Sequence, residues 1–182
     1  VKVFLDACVL YPTVLREILV GVAAKHQFAP QWSPRVLEEW ARAAARLGPA
    51  GEAIARGEIA ALRVAFPAAE VTPRQGDMAR LVLPDPDDEH VLAGAIAGGA
   101  DLLCTFNAKD FPRHVLAAEG IERVDPDQLL ARLPLAHVAP VVARVHATAE
   151  RLSGEVLPLR PLMKRARLPK LGKALDRAGP AR

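Results

Sequence analysis

Apolar residues along this chain follow two periodicities that alternate. The run Val1-Lys-Val-Phe-Leu-Asp6 is short, apolar and β-branched, which predicts a buried first strand with Asp6 at its carboxyl end. From Thr13, the positions Val14, Leu15, Ile18, Leu19, Val22 and Ala23 recur at helical spacing to about residue 26, behind Pro12 near the first turn. Residues 28 to 32 predict a short strand. Ser33-Pro34 then opens a helix to about Leu47, with serine able to cap free N–H groups and proline suited to the first helical position. Residues 51 to 66 read as a weaker helix interrupted at Gly57, 69 to 72 as a candidate strand, and 77 to 82 as a short helix before the acidic turn Pro84-Asp-Pro-Asp-Asp88. Val91, Leu92, Ala95 and Ile96 share one face of a further helix that stops at Gly98-Gly99. A strand at 101 to 105, a helix from about Arg113, a strand at 121 to 125 and a helix at 126 to 133 complete the alternation. Such alternation predicts an α/β fold with a mostly parallel central sheet covered on both faces, and a ligand site at the carboxyl ends of its strands.

Beyond Pro134 the pattern is helical only, first at 137 to 152 and then in a proline-punctuated tail. The expected organisation is therefore a domain over residues 1–133 followed by a helical extension over 134–182. Composition adds mainly exclusions. With 182 residues, 51% hydrophobic and 25% charged, the chain can bury a sizeable core, so disorder throughout is not expected. Cys8 and Cys104 lie in apolar runs without metal-knuckle spacing, which points to small core residues and a reducing, cytoplasmic setting. The longest charge-free apolar stretch, 91 to 100, is about half of the roughly 20 residues that span a bilayer, so no membrane association is expected. Aromatic residues make up only 4%, too few for a base-stacking platform.

Charge changes the picture more. The formal total of +3 hides a division: residues 1 to 150 carry net −4, whereas 151 to 182 hold 9 basic and 2 acidic side chains. Within the acidic body, Asp6 and the turn Thr105-Phe-Asn107-Ala-Lys-Asp110 follow strands whose carboxyl ends share one face of a parallel sheet. Asp88 can reach that face from a connecting loop. In the helix after Ser33, the apolar stripe places Glu39 near its edge and Glu38 nearly opposite its centre, so Glu39 is the inward carboxylate and Glu38 a solvated charge. Asp85 and Asp87 read as turn or capping residues. Two unit charges ~4 Å apart repel by about 4 kcal/mol at an effective dielectric of ~20, so clustered carboxylates either protonate or hold a cation. Oxygen ligands without matching His or Cys favour Mg²⁺ or Mn²⁺, and such an ion suits phosphodiester hydrolysis.

Four segments carry a family resemblance: Val3-Phe-Leu-Asp6-Ala-Cys-Val-Leu-Tyr-Pro12, Trp32-Ser-Pro-Arg-Val-Leu-Glu-Glu39-Trp40, Leu83-Pro-Asp-Pro-Asp-Asp88-Glu-His-Val-Leu-Ala and Ala100-Asp-Leu-Leu-Cys-Thr105-Phe-Asn-Ala-Lys-Asp110-Phe111. In order, they resemble the signature blocks of PIN-domain ribonucleases, and among these the VapC-like toxins of bacterial type II toxin–antitoxin modules. The resemblance implies a three-layer α/β/α fold and a Mg²⁺- or Mn²⁺-dependent endoribonuclease. It places Asp6, Glu39, Asp88 and Asp110 in the metal-binding and catalytic set, with Thr105 and Asn107 as polar supports; Ser33, read first as an N-cap, is a further candidate support. It also implies water attack leaving a 5′-phosphate and a 3′-hydroxyl, a cognate antitoxin partner, and homodimers as in other members. Two positions depart from the pattern: many members have Asn at the position of Cys8 and Asp at that of Asn107. Asp110 brings the negative charge that Asn107 lacks, and both stay open as the fourth ligand.

Other α/β chemistries lack their fingerprints here, since there is no D-x-D-x-T after the first strand, no P-loop and no Gly-rich dinucleotide turn. The competing reading is a PIN-like module that binds RNA or regulates without cleaving it. Lys164, Arg165, Arg167, Lys170 and Lys173 in the basic tail are candidate phosphate contacts; a solvated tail or a contact with an acidic antitoxin segment are the alternatives.

Overall fold

Val3, Phe4 and Leu5 are completely buried, as befits a strand covered on both faces, and they make β1 (Lys2–Leu5) a central strand of the sheet in this computed structural model. The structure describes residues 1–179. β1 pairs in parallel with β2 (Ala29–Gln31) on one side and β3 (Leu102–Cys104) on the other, and β3 pairs with β4 (Glu122–Val124), giving the order β2-β1-β3-β4. The sheet is all parallel and the chain mostly helical, in agreement with the α/β/α fold expected from the sequence.

The chain order reverses direction across β1, so the carboxyl ends of β1 and β3 flank a topological switch point. Leu5 lies opposite Cys104, which brings the next residues, Asp6 and Thr105, side by side.

The chain divides into two compact units. The first comprises Val1–Tyr11 and Phe28–Val124 and contains the sheet. Its helices are α1 (Ala7–Leu10), α3 (Pro34–Ala44), α4 (Gly51–Ala65), α5 (Gln75–Arg80), α6 (Glu89–Gly98) and α7 (Arg113–Ala118). Ser33 starts α3 as expected, its hydroxyl accepting from the Val36 N–H at 3.2 Å ahead of Pro34. α6 buries residues 90 to 95 and ends where Gly99 adopts a left-handed φ of 59°, a conformation glycine takes without strain. The close seat of α6 on β1 depends on Gly94, because an added Cβ would lie 2.6 Å from the Phe4 ring.

The second unit comprises Pro12–Gln27 and Asp125–Arg182, of which 180–182 lie outside the described residues, as does that end of the expected 134–182 extension. It is helical: α2 (Thr13–Ala23), α8 (Pro126–Ala131), α9 (Leu135–Ser153), α10 (Leu159–Arg165) and α11 (Pro169–Ala178). Gly21 lets α2 approach α9, where its Cβ would meet Val141 at 2.6 Å.

Three local expectations change. The segment expected as a strand at 69 to 72 makes only one bridge, Glu70 with Trp32; Pro67 and Pro73, which have no N–H to donate, bracket it. α4 runs unbroken through Gly57, held by its buried Ala55, Ile59 and Leu62 and by the Glu52–Arg56 ion pair, which also engages Glu38 of α3. The one-turn α1 was not anticipated, being too short to show a period. Among the described residues no helix is long and apolar enough to cross a membrane.

Candidate functional site

The side-by-side placement of Asp6 and Thr105 starts a polar chain that runs across the strand ends. Thr105 Oγ1 donates to Asp6 Oδ2 at 2.6 Å and accepts from the Asn107 N–H at 2.9 Å. Asn107 Nδ2 in turn donates to Asp88 Oδ2 at 2.8 Å. The amide at 107 thus tethers Asp88 to Thr105 and Asp6. An aspartate there would set one carboxylate against another, which gives the departure at this position a physical meaning.

Cys8 joins the same group. Its Sγ lies 3.2 Å from Asp6 Oδ2, 3.4 Å from Thr105 Oγ1, and accepts from the Phe106 N–H at 3.3 Å. Burial, then the negative charge of Asp6, push its thiol up to about 12, so it stays protonated at neutral pH and serves as a donor to Asp6. Both donors engage Oδ2, leaving Oδ1 of Asp6 without a hydrogen bond among the described residues.

Around Asp88 the carboxylates close up. Oxygens of Asp85, Asp88 and Asp110 all lie within 4.8 Å of one another. Burial, and then the charges of Asp6, Asp85 and Asp110, push Asp88 up to about 6, opposed only weakly by His90. Asp85 also fulfils the capping role read from the turn, since its Oδ1 accepts from the Asp87 N–H at 2.9 Å. Its membership of the carboxylate group was missed; the available signal was its spacing, because residues i and i+3 eclipse in a 3-10 turn such as Pro86–Asp88.

Glu39 lies outside that trio, in a cluster of its own. Its Oε1 accepts hydrogen bonds from His90 Nε2–H at 2.8 Å and from Arg35 Nε–H at 3.2 Å. Burial alone would raise its carboxyl, but His90 and Arg35 outweigh this and hold it below the usual carboxylate range. His90 is buried and its Nδ1 has no partner, so Glu39 supplies its described hydrogen bond. Glu38 lies on another face of α3, where it is no more exposed than Glu39: it pairs with Arg42 and with Arg56 of α4 at 2.9 Å each, and those hydrogen bonds hold it down at about 2. Replacing Glu39 by Ala should therefore cost about 1–3 kcal/mol by leaving a buried N–H without an acceptor. Glu38→Ala should shift the melting temperature far less. Thermal melts of the two variants check this; equal losses would mean that the His90 contact contributes nothing.

Ser33 is buried, and its hydroxyl oxygen accepts from the Val36 N–H in the α3 cap. Lys164, Arg165, Arg167, Lys170 and Lys173 are exposed and belong to the second unit.

The group around Asp88 consists of carboxylate oxygens, and its central carboxylate is driven toward protonation by burial and by like charge. Those are properties that a hard divalent cation would reverse, so the residues fit Mg²⁺ or Mn²⁺. Comparison with known proteins agrees with this geometry. A family model described as PIN domain matches residues 2–109, more than half of the chain, and spans Asp6, Glu39, Asp88 and Asn107. No significant match was found among curated proteins or among solved structures. PIN domains are generally nucleases and usually employ Mg²⁺ or Mn²⁺. The all-parallel sheet, the carboxylates at its strand ends and the match over 2–109 together place this chain in the PIN-domain family.

Proposed function

We propose that this chain is a divalent-ion-dependent endoribonuclease whose site comprises Asp6, Glu39, Asp88 and Asp110, with Asp85 as a further oxygen donor. The observation that carries the reading is the Asp85–Asp88–Asp110 group, in which Asp88 is pushed up to about 6 by burial and by the surrounding carboxylates. Carboxylates crowded in this way are unfavourable unless a cation neutralises them. When bound, Mg²⁺ or Mn²⁺ supplies positive charge to the scissile phosphodiester and lowers the pKa of the attacking water.

The chain's own groups do the positioning. Thr105 and Cys8 fix Asp6 through one oxygen, and Asn107 fixes Asp88. His90 and Arg35 keep Glu39 ionised and oriented. Cys8 is not prepared to act as a covalent nucleophile, because its thiol is held protonated. Hydrolysis by water then leaves a 5′-phosphate and a 3′-hydroxyl. Mass spectrometry of the ends produced from a mixed RNA substrate tests this, and a 2′,3′-cyclic phosphate as the main product would overturn it.

The biological reading is the toxin of a toxin–antitoxin pair. It is supported by the resemblance of the four sequence blocks to VapC-like toxins. Expression of the chain alone should arrest growth, and co-expression of the adjacent gene should restore it. Unimpaired growth in both cases would leave the nuclease without the toxin role.

A further inference from the structure

We infer that α10 and α11 form a cationic helical hairpin that binds the phosphate backbone of RNA independently of the carboxylate site. The inference takes its ligand class from the nuclease reading and adds a second binding surface to it. Between residues 156 and 179 the chain carries seven cations and one carboxylate. That carboxylate, Asp176, accepts from Arg160 Nη1 at 2.8 Å across the hairpin.

Packing decides where those charges point. Leu162, Met163, Leu168, Leu171 and Leu175 are buried, and Gly172 lets the helices close, since an added Cβ would lie 3.0 Å from the Met163 Cβ. On α11, Lys170, Lys173 and Arg177 recur at i, i+3 and i+7 on the face opposite Leu171, Gly172 and Leu175. Lys164, Arg165 and Arg167 are exposed at the connection.

The hairpin is also anchored. Asp127 of α8 accepts from the N–H groups of Lys170 and Leu171 at 2.8 and 2.9 Å, which fixes the start of α11 to its own unit. These charges therefore sit on a folded surface and not on a loose solvated tail. Arg167 occupies a left-handed position with φ 61° after α10, where glycine would be unstrained, so a cation is kept there at a conformational cost.

A polynucleotide fits this face better than an acidic protein does. Protein interfaces centre on apolar and aromatic side chains with charge at the rim, whereas residues 156 to 179 contain no aromatic residue and the exposed stripe is cationic throughout. Backbone neutralisation needs only such a row of charges, and without aromatic stacking it should be indifferent to base sequence.

The test uses the full chain in EDTA, with fluorescence anisotropy of a labelled, unstructured 20-nucleotide RNA across a salt series. The combined variant Lys164→Gln, Lys170→Gln, Lys173→Gln and Arg177→Gln should bind at least tenfold more weakly at low salt. Its plot of log affinity against log salt should be shallower by about 2–3, at roughly 0.7 per lost phosphate contact. Lys→Arg changes at 164, 170 and 173 should retain binding, and circular dichroism should show both variants folded. Unchanged affinity and slope in the Gln variant would overturn the inference, as would poly-glutamate of matched charge binding the wild type as tightly as RNA. Cleavage is silent in EDTA, so the two readings fail separately. RNA binding without cleavage in Mg²⁺ sinks the nuclease reading alone, and cleavage with unchanged binding in the Gln variant sinks the hairpin alone.

Discussion

Asp88→Asn should lower divalent-ion-dependent RNA cleavage by on the order of 10²–10³-fold while raising the thermal stability of the ion-free protein at pH 7. The two effects have one cause. In the folded chain Asp88 is pushed up from the ordinary aspartate range to about 6, first by burial and then by Asp6, Asp85 and Asp110. A carboxyl raised on folding contributes stability that is whole below its unfolded value and is lost as pH rises through its folded value. At pH 7 the ionised Asp88 therefore opposes folding, and an amide in its place does not. At about 1.4 kcal/mol for each tenfold change in proton affinity, discounted for the partial exposure of the group, the gain is about 1–2 kcal/mol. The gain should shrink as pH falls toward 4. The carbonyl of the new amide can still accept from Asn107 Nδ2, so the local tether survives. Melts in EDTA between pH 4 and 7, set beside cleavage rates, check both halves. A uniform loss of stability at all pH values would mean that Asp88 is a structural cap and not a strained ligand.

Gly94→Val should both destabilise the chain and disable cleavage, because it acts on the scaffold that brings two of the carboxylates together. β1 ends just before Asp6, and α6 begins just after Asp88. Gly94 is where they touch: its Cβ would fall 2.6 Å and 2.8 Å from atoms of the fully buried Phe4 ring. The ring has no solvent side to retreat to, so α6 must move off the sheet or the core must strain. Overpacking of this kind costs about 1–3 kcal/mol, or roughly 2–12 °C in melting temperature for a chain of this size. Displacing α6 also carries Asp88 away from Asp6, so activity at a temperature where the variant is folded should fall together with divalent-ion affinity. Gly57→Val is the matched control, being helical with nothing within 4 Å of its Cβ. A Gly94 variant with normal melting and normal cleavage would show that the approach of α6 to β1 is not what sets the site.

Much of the architecture could be read from periodicity because the decisive segments are buried in simple ways. The continuous apolar run 3 to 5 could only be covered on both faces, and the Ser33-Pro34 start and Gly99 stop behave as their backbone chemistry dictates. The stripe on α3 separated Glu39 from Glu38, whose opposite partners, His90 and the Arg42–Arg56 pair, follow from that face assignment. What escaped the sequence was pairing over distance. The contact of α2 with α9, through Gly21 and Val141, spans more than a hundred residues and has no local signature. The same holds for the site's tethers: Thr105 to Asp6, Asn107 to Asp88 and Asp127 to the start of α11 each join side chains that only the fold brings near. Cys8 read as a small core residue because its polar partners, Asp6 apart, are almost a hundred positions away. Asp85 was visible as a cap but not as part of a carboxylate group, because the 3-10 turn that aligns it with Asp88 leaves no periodic trace.

The most direct measurement of the central claim is cleavage of a labelled mixed-sequence RNA by one preparation of the full chain, assayed as purified, after EDTA treatment and after addition of excess Mg²⁺ or Mn²⁺. Cleavage should disappear with EDTA and return with the ion, and Asp6→Asn should show none under any condition. Cleavage that persists in EDTA, or that survives in Asp6→Asn, would contradict an oxygen-ligated divalent ion at the strand ends as the source of the activity.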